Sequence, residues 1–170
     1  MVVSLLKLTY NELVDQLEDD DRIIVWTCND CVRYCGFGGR EAMDALADRL
    51  EGDGYHVLRR ELVGISCNRG LVRSRMTHPT LKDAFKEATV IIPLVCSEGY
   101  ETVHYVFKNV RVIEMTETFG LGVYSEETGM RLNWPLAETG LFASVEGISL
   151  GDLATERGLH TGPMVEPRKP

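Results

Sequence analysis

The sequence has few positive charges and no long apolar run. Its 18 lysines and arginines are outnumbered by 26 aspartates and glutamates, so the formal net charge is -8. A surface of this sign repels nucleic acids and anionic lipids, and neither is expected as a partner. No apolar run approaches the roughly 18 to 20 residues that a membrane-spanning helix needs, and the N-terminus lacks the basic segment and cleavage site of a signal peptide. We expect a cytoplasmic protein with no membrane partner.

The sequence also lacks the signs of a disulfide framework or of acid-base catalysis. Its five cysteines are an odd number, which suits reduced thiols better than disulfides when no secretion signal is present. The four histidines have no metal-ligand spacing, and no titrating pair of the kind that an independent enzyme needs is visible. The sequence therefore does not favour an independent enzyme.

Apolar, β-branched runs alternate with amphipathic segments along the first two thirds of the chain. The strands are predicted at RIIVWT, in a run ending near Cys67, and at TVIIPLVC and VRVIEM. Helices are predicted at residues 9–19, 40–54, 77–88 and 98–109. This alternation predicts an α/β fold with three layers around a mostly parallel, four-stranded sheet of the Rossmann or flavodoxin type. Pro93 in the third strand lacks a ladder donor, which counts against a central position.

The pattern loosens after about residue 119. Turn signals at 127–129 and at Trp134-Pro135 indicate a C-terminal hairpin or an irregular extension. We therefore expect residues 1–125 to form an α/β metal-binding domain. Residues 126–170 are expected to form an extension packed on it, with mobile last residues.

All five cysteines fall at the ends of predicted strands or just beyond them. Cys28 ends the first strand, Cys31 and Cys35 lie in the loop after it, Cys67 ends the second strand and Cys96 ends the third. In an open parallel sheet, ligands bind outside the carboxyl ends of the strands. The sequence therefore predicts that three separate segments bring five thiols to one edge of the sheet.

The C-x2-C-x3-C spacing gives three soft ligands in one loop, and one distant cysteine would complete the four thiolates of a 4Fe-4S cluster. Cys28, Cys31 and Cys35 are the expected loop ligands, Cys67 is the preferred fourth ligand, and Cys96 competes with it. Four cysteines would also satisfy a structural zinc ion, although the commoner zinc pattern has two C-x2-C pairs. Simple packing of small buried thiols remains a further alternative.

Gly38 and Gly39 separate the thiol-rich loop from the next predicted helix. They do not form the G-x-G-x-x-G pattern of a dinucleotide site, but they could let backbone amides approach cluster sulfurs or an anion. They are therefore candidate cofactor-binding residues, together with Cys96, which could also face a bound partner. A basic patch beside the cluster is a weaker prediction, with four arginines as its members: Arg33, Arg69, Arg73 and Arg75.

Residues 9–122 resemble a known protein family. The C-x2-C-x3-C-x2-G-G stretch leading into a helix is the most specific feature, and the apolar strand ending in Cys96 supports it. The resemblance is to the small cysteine-rich subunit, also found as a C-terminal domain, that accompanies some bacterial and archaeal methylenetetrahydrofolate reductases. In that family the subunit carries an iron-sulfur cluster or zinc and works beside a flavoprotein reductase subunit in one-carbon metabolism.

The resemblance implies that Cys28, Cys31, Cys35 and Cys67 are cluster ligands and that Cys96 belongs to a C-G-x-G-like loop. This chain differs from the family in having Ser97 after that cysteine and no later cysteine, so it resembles a shorter form without a second cysteine site. The expected function is electron transfer or an accessory role, with one 4Fe-4S cluster, in a one-carbon pterin reductase or a related redox complex. The alternative is a zinc-binding scaffold or a ligand-binding module without redox activity.

Overall fold

The structure, a computed structural model, describes residues 1–166 of the 170-residue chain. Its strands are β1 (Val2–Leu6), β2 (Arg22–Cys28), β3 (His56–Val63), β4 (Val90–Leu94), β5 (Arg111–Val112), β6 (Thr116–Ser125), β7 (Gly129–Pro135) and β8 (Ile148–Ser149). Its α-helices are α1 (Tyr10–Val14), α2 (Cys31–Tyr34), α3 (Gly39–Gly52), α4 (Arg69–Thr77), α5 (Lys82–Glu87), α6 (Ser97–Val106) and α7 (Leu150–Arg157).

The predicted α/β fold with a parallel, four-stranded sheet is confirmed. The strand order in this sheet is β3-β2-β4-β5, and all of its neighbouring strands are parallel. β2 and β4 are buried along nearly their whole length, which suits their continuous apolar, β-branched runs. Pro93 lies in β4 although β4 has a neighbour on each side. Pairing of β4 with β5 ends at Ile91, so a proline at position 93 breaks no ladder on that side, while on the other side Pro93 stays in register with Trp26 of β2.

A second sheet is antiparallel, with the order β1-β6-β7-β8. The predicted turn at 127–129 joins β6 to β7, and Gly129 supplies a φ of +68° at the end of that turn. β1 was not predicted as a strand. It pairs with β6, where Val3 lies opposite Gly120, and a pairing between such distant segments leaves no local sequence signal.

The four predicted helices occur in the predicted order, but their bounds differ, and neither α2 nor α7 was predicted. The capping box of Thr9 and Glu12 is formed, but α1 ends at Val14 because the next turns close by i to i−3 bonds. The helix α4 was not predicted at all. Leu81, rather than Thr80, precedes α5, and neither residue caps it with its side chain.

Successive side chains of β2 point to opposite faces of the parallel sheet. Trp26 packs against Phe85 and Phe107, with ring centroids 6.1 and 5.7 Å away. On the other face, the hydroxyl of Thr27 accepts a hydrogen bond from the amide of Gly39, where α3 begins. Both faces of β2 are therefore covered.

β6 ends at Ser125, which is also where the first predicted domain ends. The predicted mobile end includes residues 167–170, which lie outside the described residues. Among residues 1–166, no helix has both the length and the apolar character needed to cross a membrane.

Candidate metal centre

Three segments of the chain bring cysteines to the carboxyl end of the parallel sheet. Cys28 is the last residue of β2, Cys31 begins α2, and Cys35 directly follows that helix. Cys67 lies in the turn after β3, and Cys96 is the residue before α6. We call this group of five cysteines the thiol edge.

Hydrogen bonds hold the loop after β2 against the turn after β3. The thiol of Cys28 donates to the carbonyl of Gly64 at 3.6 Å, and the amide of Asn29 donates to the carbonyl of Val63 at 2.9 Å. These bonds place the segment with Cys28 and Cys31 beside the segment with Cys67.

Further hydrogen bonds connect the turn after β3 to α6, and α6 to the antiparallel sheet. The hydroxyl of Thr102 lies 3.5 Å from the carbonyl of Cys67, to which it donates. The amide of Ser97 donates to the hydroxyl of Thr118 at 3.0 Å, and that hydroxyl lies 2.9 Å from the hydroxyl of Ser4. The segment that carries Cys96 is therefore fixed to β1 and β6.

Cys35 connects the loop after β2 to the antiparallel sheet as well. Its thiol donates to the carbonyl of Val2 in β1 at 3.7 Å. Together with the bonds of Cys28 and Cys67, this contact links every cysteine-bearing segment to a neighbouring segment of the same edge.

The five thiols differ in exposure. Cys28, Cys35 and Cys96 are buried, Cys31 is half-buried and Cys67 is exposed, and all five are free of disulfide bonds. The side of the thiol edge that faces solvent is therefore formed by Cys31 and Cys67.

Burial and mutual repulsion keep several of these thiols protonated. Burial is the largest cause that raises the pKa of Cys96 to about 11, and nearby charge on Cys67, Cys28 and Cys31 contributes to that value. Burial also raises the pKa of Cys35 to about 11, with Cys31 and Cys96 adding to the effect. Such thiols are poor nucleophiles at neutral pH.

Neighbouring thiols also affect the pKa of Cys67. Its pKa is raised by burial, then by the charges of Cys28 and Cys31 and of Asp30. When several thiolates destabilise one another in this way, a cation bound among them relieves the repulsion. The electrostatics of the thiol edge therefore suit a bound metal better than a reactive thiol.

The donor set fits a thiolate-bound metal in its chemistry, because soft thiolates are the ligands of iron-sulfur clusters and of structural zinc. Within residues 1–166, no three His, Cys, Asp or Glu side chains already have the arrangement of a metal site. Two thiols, those of Cys28 and Cys35, donate their protons to backbone carbonyls. Metal binding requires these protons to leave.

Gly38 and Gly39 lie beside the thiol edge, and their amides are already bonded within the protein. The amide of Gly38 donates to the carbonyl of Val32, and the amide of Gly39 donates to the hydroxyl of Thr27. A Cβ on Gly38 would lie 2.4 Å from a methyl group of Val32, and Gly39 has a φ of +83°. The tight turn between α2 and α3 therefore accounts for glycine at both positions. The role of these glycines toward a cofactor stays a prediction.

The predicted basic patch is partly used for internal contacts. Arg75 and Arg59 both pair with Glu61, whose side chain is 1% exposed. The guanidinium of Arg69 lies over the ring of Tyr105 at 4.6 Å. Sequence reasoning missed the hydroxyls of Thr102 and Thr118, since single hydroxyl residues in helices and strands give no signal of the contacts they make.

Comparisons of the chain with protein-family models, curated proteins and solved structures found no match.

Proposed function

We propose that this protein is an electron-transfer or accessory subunit that holds one 4Fe-4S cluster at the thiol edge. The observation that carries this proposal is the convergence of five free cysteines from three segments at the carboxyl end of one parallel sheet. A bound cluster of this kind would supply one-electron transfer. The chain itself would hold the metal, limit its contact with water and present it to a partner.

Cys28, Cys31 and Cys67 are three of the proposed ligands. Cys35 and Cys96 compete for the fourth position. Nearby charge on all three other ligands contributes to the raised pKa of Cys96. Of these three, only Cys31 contributes to the raised pKa of Cys35, whose side chain is 2% exposed. These observations favour Cys96 as the fourth ligand, in place of the C-x2-C-x3-C set that the spacing alone suggests.

The free thiols also support a reducing, cytoplasmic setting, since oxidising compartments convert neighbouring cysteines to disulfides. We further propose that the parallel sheet is the middle layer of a three-layer, flavodoxin-like unit. The strand order β3-β2-β4-β5, with Trp26 and Thr27 contacting elements on opposite faces of β2, supports that arrangement.

An accessory role needs a partner surface, and the antiparallel sheet offers a candidate. Leu121 and Trp134 are paired across β6 and β7 and are 52% and 56% exposed. Phe142 and Val145, in the following loop, are almost fully exposed. Exposed apolar patches of this kind mark protein interfaces. The proposed partner is a flavoprotein reductase subunit, and the link to a one-carbon pterin reductase comes from the family resemblance of residues 9–122.

Anaerobic purification followed by metal and sulfide analysis tests the cluster. We expect a brown protein with broad absorption near about 400 nm and acid-labile sulfide. Single Cys→Ser variants at all five positions identify the ligands, because loss of a true ligand releases or bleaches the cluster and loss of the fifth cysteine does not. A colourless protein with one equivalent of zinc would contradict electron transfer and leave the scaffold alternative.

The partner is tested separately by isolating the protein from its native cells. The proposal expects a stoichiometric complex with a yellow, flavin-containing protein, and Trp134→Ser is expected to dissociate it. A complex that survives both Trp134→Ser and Leu121→Ser would place the interface elsewhere.

A further inference from the structure

A second site candidate lies at the opposite end of the parallel sheet from the thiol edge. A cavity of about 580 Å³ opens there between α5, the end of α6 and the segments that lead into β4 and β5. Ala88 and Val110, the residues shortly before these two strands, belong to its lining. A volume of this size is within the range of small-molecule sites, which is roughly 300 to 1,000 Å³.

The lining of this cavity is apolar and aromatic. Phe85 and Phe107 contribute to it, with their ring centroids 5.0 Å apart, and Met76 and Val106 add aliphatic surface. Phe85 and Phe107 are also the rings that pack against Trp26. The aromatic part of the lining is therefore held in place by the core.

Three lysines stand around this apolar lining: Lys82, Lys86 and Lys108. The whole sequence has only five lysines and a net charge of -8, so the concentration of positive charge here runs against the charge of the protein. The cavity lining contains no aspartate or glutamate among the described residues. We call this site the lysine cavity.

The positive charge of the lysine cavity is poorly neutralised by the protein. Within residues 1–166, Lys82 has no ion-pair partner, and Lys86 has only Asp83 at 3.9 Å, with the side chains of Lys86 and Asp83 mostly exposed. Such exposed pairs contribute little. Lys108 has no ion-pair partner there either, and its ammonium lies 4.9 Å from the centre of the Tyr105 ring, a contact that does not neutralise its charge. Lys82 and Lys86 are also four residues apart on α5, where like charges repel. An anion bound between the lysines would relieve that repulsion.

We propose that the lysine cavity binds a small amphipathic anion, with its apolar body against Phe85 and Phe107 and its negative group among Lys82, Lys86 and Lys108. The ligand class is an aromatic or aliphatic carboxylate, sulfonate or phosphate. The apolar lining supplies the affinity for the body, and the ammonium groups select the negative charge. This site is separate from the thiol edge and does not depend on a metal.

Anilinonaphthalene sulfonate is a suitable probe, and neutral phenylnaphthylamine is its matched control without the sulfonate. The titration uses the full chain carrying Trp134→Phe, so that Trp26 is the only tryptophan. We expect the sulfonate probe to bind and to quench Trp26 by energy transfer, because Trp26 contacts both rings of the lining. The sulfonate should bind about tenfold more tightly than the neutral probe.

The triple variant Lys82→Gln, Lys86→Gln and Lys108→Gln tests the assignment. It should weaken binding of the sulfonate about tenfold and leave binding of the neutral probe unchanged. The control variant Arg33→Gln and Arg40→Gln removes positive charge at the other end of the sheet and should bind both probes as the parent does. Circular dichroism melts establish that each variant is folded before it is titrated.

Three results would overturn the proposal. The lysine variant could bind the sulfonate as tightly as its parent, or the arginine variant could lose binding instead, which would move the anion to the cavity beside Arg33 and Arg40. Lysine-dependent sedimentation with phosphatidylglycerol vesicles, which we do not expect, would indicate a membrane surface instead of a small molecule.

Discussion

The parallel sheet gathers thiols at its carboxyl end and lysines at its amino end. At the thiol edge the pKa values of Cys35, Cys67 and Cys96 are raised, so their negative forms are disfavoured unless a cation binds among them. The lysine cavity has three ammonium groups around an apolar lining, so it favours an anion with an apolar body. The two ends of one sheet thus differ in electrostatic character. Trp26 lies between them, since it contacts Phe85 and Phe107 of the lysine cavity and donates to Ser66, the residue before Cys67.

Removal of a metal from the thiol edge should produce the largest change in stability, and it should leave the lysine cavity unaffected. A metal bound a thousandfold above its dissociation constant stabilises the folded state by about 4 kcal/mol. For a chain of this size, we expect chelation to lower the melting temperature by about 10 °C. Melts recorded by circular dichroism under anaerobic conditions measure this shift.

The lysine cavity provides the control for that experiment. Binding of anilinonaphthalene sulfonate should have the same dissociation constant before and after chelation. An unchanged melting temperature would argue against a metal that connects the segments of the thiol edge.

Alkaline pH should destabilise the metal-free protein through the thiol edge. The ordinary thiol pKa is 9.0, and Cys35 and Cys96 have values of about 11 in the folded protein. Between these values the unfolded chain has released protons that the folded protein still holds, so rising pH favours unfolding. This contribution to the free energy of unfolding is fully present below about pH 9 and is lost by about pH 11, with each thiol accounting for about 3 kcal/mol.

Urea denaturation of the reduced, metal-free protein across this pH range measures how much the free energy of unfolding falls. For Cys96→Ser, the free energy of unfolding should fall with pH about half as steeply as for the parent, because serine does not ionise in this range. A parallel decline in Cys96→Ser and in the parent would assign the effect to groups other than this thiol.

The tight turn between α2 and α3, beside the thiol edge, should be more sensitive to substitution than the other end of α3. Gly38→Ala should destabilise the protein by about 1 to 3 kcal/mol, because its Cβ would lie 2.4 Å from the side chain of Val32 and 2.9 Å from its backbone. Gly52→Ala is the matched control. It lies at the end of α3 with no atom near its Cβ position, so alanine should be neutral or slightly stabilising. Equal melting temperatures for the two variants would contradict the close contact.

The thiol edge could be predicted from the sequence, whereas the lysine cavity could not. β2 and β4 are continuous apolar runs, and the carboxyl ends of parallel strands share an edge, so the positions of Cys28 and Cys96 followed from chain order. Lys86 belongs to α5 and Lys108 lies in the turn after α6, and nothing in their spacing indicates that these two segments border one cavity.

The same limit applies to the second sheet and to the choice of ligands. β1 was missed because its partner, β6, lies more than a hundred residues away in sequence. The spacing of Cys31 and Cys35 suggested equal ligands, but spacing does not indicate that the thiol of Cys35 is turned toward the backbone of Val2. Local patterns predict elements, while pairing and side-chain direction depend on packing between distant segments.

The smallest expected effect concerns the connection between the two ends through Trp26. Its indole nitrogen donates to the hydroxyl of Ser66 at 3.0 Å, next to Cys67, and its ring packs against Phe85 and Phe107. Ser66→Ala leaves a buried donor without a partner and should cost about 1 to 2 kcal/mol. Ser74→Ala removes an exposed hydroxyl from α4 and should change stability by less than about 0.5 kcal/mol.

A double-mutant cycle then determines whether this connection couples the two sites. Ser66→Ala is combined with the lysine triple variant, and metal content and the affinity for anilinonaphthalene sulfonate are measured in each member. Because Trp26 stays packed on both rings without the hydrogen bond, we expect the effects of the two changes to add within about 0.5 kcal/mol. A larger interaction energy would mean that the ends of the sheet are coupled through Trp26, so that an anion in the lysine cavity could influence the thiol edge.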